Sequence, residues 1–340
     1  MQRGVGRIGV FGVALGLVLM AVSNAAVAQS YHRSNLVSNL SGKAAHMDPL
    51  LKNPWGLVYG PGAPFWVSDE ASGWSTLYNG AGNPQSLQVV IPPKSGTGKG
   101  TPTGIVYNGS QEFKIQNWVS AFLFATLDGT ISGWSHFSPN NALIGVTQAG
   151  ASYTGLAITN KTTGNFLYAA DAANKHVDMY NGNFNLVKSF TDSTLPAGFA
   201  PFGIQDINGK LYVSYASTTG GGGGYIDIFK EDGTFVKRFA HGTPLNQPWG
   251  FAVAPANFGP LSNTLLISNN TSGGTINGFN RTTGAFVGTV KNSLGKPIFI
   301  NGLWGIEFGG GTLNNGKTNQ LYYTAGPSDT DGYFGVVWFK

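Results

Sequence analysis

From Leu156 to Phe190 the chain alternates short apolar runs with polar breaks. Leu156-Ala157-Ile158 leads into a polar turn at 160–165, and Phe166-Leu167-Tyr168-Ala169-Ala170-Asp171 into a second break at 172–175. His176-Val177-Asp178-Met179-Tyr180 follows, then an Asn-Gly-Asn turn and Leu186-Val187-Lys188-Ser189-Phe190. Runs this short, rich in β-branched and aromatic residues and bounded by Asn and Gly, predict four consecutive strands joined by tight turns, an antiparallel meander. The second run recurs as Phe65-Trp66-Val67-Ser68-Asp69, Phe122-Leu123-Phe124-Ala125-Thr126, Leu211-Tyr212-Val213-Ser214-Tyr215, Leu265-Leu266-Ile267-Ser268-Asn269 and Leu321-Tyr322-Tyr323-Thr324-Ala325. The third recurs as Tyr225-Ile226-Asp227-Ile228-Phe229 and Thr275-Ile276-Asn277-Gly278-Phe279.

A Gly-centred phrase heads each unit: Pro54-Trp55-Gly56-Leu57, Pro102-Thr103-Gly104-Ile105, Tyr153-Thr154-Gly155-Leu156, Pro201-Phe202-Gly203-Ile204, Pro248-Trp249-Gly250-Phe251 and Leu303-Trp304-Gly305-Ile306. Its glycines stand 48, 51, 48, 47 and 55 residues apart. Six repeats of one four-stranded unit at this period predict an all-β, six-bladed β-propeller of antiparallel blades. Glycine at the head of an innermost strand has a steric reason, because inner strands crowd a narrow channel and a side chain would meet the neighbouring backbone.

The run Leu167-Tyr168-Ala169-Ala170-Asp171-Ala172-Ala173-Asn174-Lys175-His176-Val177 resembles the NHL-type repeat of six-bladed propellers. The chain as a whole is similar to an uncharacterised family of exported bacterial propeller proteins. Blades four to six replace the Asp of the phrase with Tyr215, Asn269 and Ala325, which departs from a full ring of aspartates. The last blade ends at its third strand, Gly335-Val336-Val337-Trp338-Phe339. The segment Tyr31 to Leu40 is expected to supply the missing outer strand and close the ring, leaving no open sheet edge between first and last blades.

Residues 1–28 read as a signal peptide: Arg3 and Arg7, an apolar run from Ile8 to Val22, and Ala26-Val27-Ala28 before Gln29. The run falls short of the roughly 18 to 20 residues that span a bilayer, and no later stretch is apolar enough to do so. A periplasmic or extracellular protein is expected, with residues 29–340 forming one propeller domain. Cysteine is absent, so closure rests on hydrogen bonds and packing. Charged residues are 10% of the chain, and the formal charge of +5 becomes +3 without Arg3 and Arg7. With no Lys/Arg cluster, that balance argues against nucleic acid as a partner.

In a four-stranded meander the entry to the inner strand and the exit from the second lie at the same end. Trp55, Asp69, Glu70, Thr103, Thr126, Thr154, Asp171, Phe202, Trp249, Asn269, Trp304 and Thr324 are therefore expected around one channel mouth, the default place for a ligand. Trp55, Phe202, Trp249 and Trp304 suit either inter-blade packing or stacking on a flat ligand. Asp69 and Asp171 suit turn capping, or, with Asn269, oxygen ligation of a hard cation such as Ca²⁺. Glu307 is the one acid near the middle of an inner strand, aligned with Val58, Val106, Ala157, Gln205 and Ala252. A carboxylate there is costly unless paired or metal-bound, which marks it as functional unless a hydroxyl or Gln205 satisfies it.

The five histidines, His32, His46, His136, His176 and His241, show no zinc-ligand spacing. No nucleophile elbow or P-loop is present, and the glycine run 220–224 reads as a loose connection in blade four. Two functions of different class follow. One is an exported binding or scaffold protein holding a small molecule, carbohydrate or protein segment at the channel mouth. The other is a Ca²⁺-dependent hydrolase resembling six-bladed lactonases, with Asp69, Asp171, Asn269 and Glu307 as ligands.

Overall fold

A computed structural model describes residues 1, 2, 4, 6 and 29–340. The signal peptide expected at 1–28 therefore lies almost wholly outside the described residues. Among the described residues no helix is long and apolar enough to cross a membrane, and the one helical element is a 3-10 turn at Gly259–Leu261.

Six sheets follow one another along the chain, each led by its inner strand. These are Pro54–Val58, Pro102–Tyr107, Tyr153–Ile158, Phe199–Asp206, Pro248–Val253 and Leu303–Phe308, for blades one to six. Each pairs antiparallel with its second strand: Phe65–Asp69, Phe122–Thr126, Phe166–Asp171, Lys210–Ser217, Leu265–Asn269 and Gln320–Ser328. Blade two also carries a small hairpin, Lys114–Ile115 with Trp118–Val119, between its first and second strands.

Closure follows the expected route. Tyr31–Ser38 pairs antiparallel with Asp331–Phe339, in a register running from Tyr31 opposite Phe339 to Ser38 opposite Tyr333. His46–Met47 then adds a short parallel strand outside it. The Tyr31 hydroxyl locks this seam to blade five, donating to the Phe258 carbonyl at 2.7 Å and accepting the Leu261 amide at 3.0 Å.

Both faces of each blade's inner strands are buried, which is why the inner runs are continuously apolar rather than alternating with polar residues. The period-two alternation of a strand sends successive side chains to opposite neighbours. In blade three, Leu167 and Ala169 join the core shared with blade two, while Tyr168 and Ala170 join the core shared with blade four. Six such clusters lie one between each pair of blades, including one that joins blade six to blade one.

Each inner strand carries one extra residue against its second strand, a bulge at the phrase containing the repeat glycine. None of these glycines has a positive φ, so close approach is what requires them. A Cβ on Gly203 would lie 2.0 Å from the Trp249 carbonyl oxygen, and one on Gly305 would lie 2.8 Å from that of Trp55. The six glycines form a layer in which each inner strand leans on the next.

Candidate functional site: the central channel

The bulge frees a backbone amide, and the second strand answers it. In blades four to six, Ser214, Ser268 and Thr324 accept the amides of Gly203, Gly250 and Gly305 at 2.8, 2.8 and 2.9 Å. Ser268 and Thr324 also donate to the carbonyls of Trp304 and Trp55 in the following blade, each at 2.6 Å. Blades two and three have Ala125 and Ala170 at that position. There the residue before the glycine supplies the hydroxyl: Thr103 donates to Tyr153 of the next blade at 2.6 Å, and Thr154 to Pro201 at 3.3 Å. A hydroxyl in the second strand thus accompanies an aromatic ring before the glycine, and an alanine accompanies a threonine.

Those aromatic rings meet at the axis. Trp55 and Trp304 stack with centroids 3.6 Å apart, and Trp249 meets both edge-on at 6.3 and 5.7 Å. Phe202 closes against Trp55 and Trp304 at 6.2 and 5.5 Å, with Leu127 packed beside them. The Trp249 indole donates to the Thr154 carbonyl at 3.0 Å and that of Trp304 to the Asn53 side chain at 3.2 Å. Asn53 in turn donates to Glu70 at 2.8 Å. Blades one, four, five and six therefore plug the entry end of the channel with rings that pack on one another.

Asp69, Asp171 and Asn269 stand out in their own blades and hold backbone there. One oxygen of Asp69 accepts the Thr76 amide and hydroxyl at 3.1 and 2.8 Å, while burial pushes its carboxyl well above the usual carboxylate range. Asp171 accepts the amides of Ser152, Ala173 and Asn174 within 3.1 Å and the Asn174 side chain at 2.7 Å. Asn269 accepts the Asn246 amide and donates to the Pro244 carbonyl. The hairpin of blade three also brings His176 within 3.0 Å of Asp178 and 3.6 Å of Asp171. Asp178 is already bonded by Tyr153 and Ser189, so this group is a satisfied network as it stands.

Beyond the glycine layer the channel widens into a cavity of about 240 Å³ that opens where the inner strands end. Its walls are the inner-strand residues that follow the glycines, Trp249 belongs to its floor, and Tyr59, Tyr107, Asn160 and Asp206 stand where those strands finish. Of the seven residues picked from sequence, Trp249 and Glu307 line it; Trp55 and Trp304 complete the plug beneath. Asn160 is tied to blade two by bonds to Gly109 and Tyr107, and Asp206 accepts the Gly209 amide at 2.9 Å.

Glu307 is the uncommitted acid of this cavity. No side chain among the described residues bonds it, Gln205 included; the Phe308 amide is the donor near it. Burial raises its carboxyl to about 8, and burial, with a smaller push from the Glu307 charge, raises the Tyr59 hydroxyl to about 12. An acid protonated at neutral pH can donate a hydrogen bond, and one brought near a cation ionises. Gln205 and the two tyrosines were not singled out by sequence reasoning, although Gln205 was visible as the other polar residue in the row aligned with Glu307.

No protein-family model matches the chain. Among solved structures it is similar to a streptogramin B lyase, with a TM-score of 0.54 at 12% identity over 92% of this chain and 98% of that one. It is also similar to a gluconolactonase from Xanthomonas campestris, with a TM-score of 0.56 at 14% identity over 86% and 88%. At these identities the likeness is one of fold. Two uncharacterised proteins of Acanthamoeba polyphaga mimivirus, R648 and L690, are each 31% identical over 89% of this chain, and the matches span 78% and 84% of their own lengths. The chain belongs to the family of R648 and L690.

Proposed function

We propose that this is an exported, NHL-like binding or scaffold protein whose ligand, a small molecule or the tip of a saccharide or protein segment, enters the open end of the channel and rests on the tryptophan plug. The observation that carries this reading is a floored cavity of mixed apolar and polar lining that holds two uncommitted polar side chains, Glu307 and Gln205, on its wall. Concave apolar sites with a few convergent polar groups are where proteins hold ligands. Export rests on the character of residues 1–28.

The test is mass spectrometry of protein purified under native conditions from its host, beside a Gln205→Trp variant that fills the channel. A small molecule released by the wild-type protein and absent from the variant supports the reading. A ligand retained by the filled variant, or none in either protein, overturns it.

The donors do not fit the calcium-dependent alternative. A Ca²⁺ ion takes six to eight oxygens, and of the carboxylate and amide oxygens on the cavity wall Asn160 and Asp206 already accept backbone amides, leaving Glu307 and Gln205. Asp171 and Asn269 spend their side-chain polar atoms on neighbouring chain, and Asp69 bonds Thr76 through one oxygen while its other lies buried within blade one, away from the cavity wall. Likeness of fold to a lactonase and a lyase carries no activity across.

A further inference from the structure

The wall of the channel cavity carries no positive charge: none of its lining residues is Lys, Arg or His. It does carry Glu307, deep in the channel and unpaired, and Asp206 at the open end, together with the rings of Tyr59, Tyr107 and Trp249. A half-buried acid on the wall of a narrow channel is costly to ionise without a partner, and the cavity wall supplies none. We infer that the ligand, if the cavity is the ligand site proposed above, is a small organic cation, a protonated amine that pairs with Glu307 among the rings of Tyr59, Tyr107 and Trp249. Aromatic faces attract an ammonium group, and the attraction grows as water is excluded. An anion would meet two acids, and Lys161, the cation beside Asp206 at the opening, is already paired with Glu231. The volume of about 240 Å³ is below the roughly 300 Å³ at which drug-sized sites begin, which limits the guest to metabolite size.

Charge pairing couples binding to protonation. Unliganded Glu307 titrates at about 8, so at neutral pH it must release its proton for the carboxylate to pair with the amine. The other titratable groups around it are the tyrosines Tyr59 and Tyr107 on the wall, Tyr322 across the sheet and Asp206 at the opening. Tyr59 and Tyr322 are both pushed up to about 12, which keeps them neutral through this range. Affinity for an amine should therefore rise about tenfold per pH unit up to about 8 and then level. A neutral ligand that accepts a hydrogen bond from the protonated acid would bind with constant affinity up to about pH 8 and lose it above.

The test uses three matched probes on the whole protein: phenethylamine, 2-phenylethanol and phenylacetate, titrated calorimetrically from about pH 6 to about pH 9, where the amine stays protonated. The expected result is that phenethylamine binds most tightly, with the rise just described. Paired buffers of different ionisation enthalpy should report about one proton released per amine bound below pH 8. Glu307→Gln, nearly isosteric, should weaken the amine at least tenfold at pH 8.5, while the wild-type proton count needs no variant at all. Alcohol or phenylacetate binding as tightly as the amine, with all binding lost in Gln205→Trp, overturns the cation and leaves the cavity as a ligand site. Absence of binding by all three probes overturns the cation and counts against the cavity as well.

Discussion

The hydroxyl of Thr324 in the last blade donates to the main-chain carbonyl of Trp55 in the first at 2.6 Å, while accepting the Gly305 amide at 2.9 Å. One buried side chain thus satisfies the inner-strand bulge of blade six and fastens the seam of the ring at its axis. Thr324→Val keeps the shape and removes both bonds, leaving two buried backbone groups without partners. The expected loss is about 1–3 kcal/mol, read from the urea midpoint at unchanged m-value.

The outer end of the same seam is held by the chain's other terminus. Deleting residues 31–38 removes the strand paired with Asp331–Phe339 and the Tyr31 hydroxyl that bonds blade five. A lowered melting temperature and concentration-dependent light scattering are expected, because the bared edge offers unpaired backbone to other chains. A deletion mutant that is monodisperse and melts like wild type would contradict this account of closure.

The glycine layer can be graded. A Cβ at position 203 would sit 2.0 Å from a backbone oxygen, whereas the nearest atom to one at 155 is a backbone oxygen at 2.9 Å. Both substitutions to alanine should destabilise through overpacking, by about 1–3 kcal/mol. Gly203→Ala should lose the more, since its methyl would stand much closer to a main-chain oxygen, which cannot rotate away. Denaturation midpoints of the two variants measure the order.

Glu307 gives stability a definite dependence on pH. Its folded-state value, about 8, lies above the ordinary carboxyl value that the unfolded chain retains. Between those two values the folded protein binds the more protons, so its contribution is fully present in acid and is lost as pH rises through about 8. The slope is at most about 1.4 kcal/mol per pH unit for one group. Glu307→Gln cannot ionise, so relative to wild type it should be more stable at pH 9 than at pH 5. Asp69 and Asp227, also raised by burial, bend both curves alike and cancel in the difference.

Much of the architecture is written in local pattern. The spacing of Gly56, Gly104, Gly155, Gly203, Gly250 and Gly305 determines six blades, since only glycine tolerates the approach of one inner strand to the next. The apolar pattern of Tyr31–Ser38, ahead of the first repeat, suits it to the outer edge of Asp331–Phe339, with which it pairs, since an open blade edge is costly. Asp171 likewise follows from the turn after it, whose amides its carboxylate caps; Asp69 reaches instead to Thr76 in the next strand. What only the tertiary structure decided is which end of the channel is open. Trp55, Trp249 and Trp304 look alike in sequence whether they line a mouth or fill it; the bulge before each glycine turns them to the axis, where rings from four blades meet and exclude water. That closure moves the free space to the far side of the glycine layer, and with it the significance of Glu307, whose partners or lack of them depend on five other strands. Gln205, Tyr59 and Tyr107 become its neighbours only because the ring closes, a condition that no segment of the chain contains by itself.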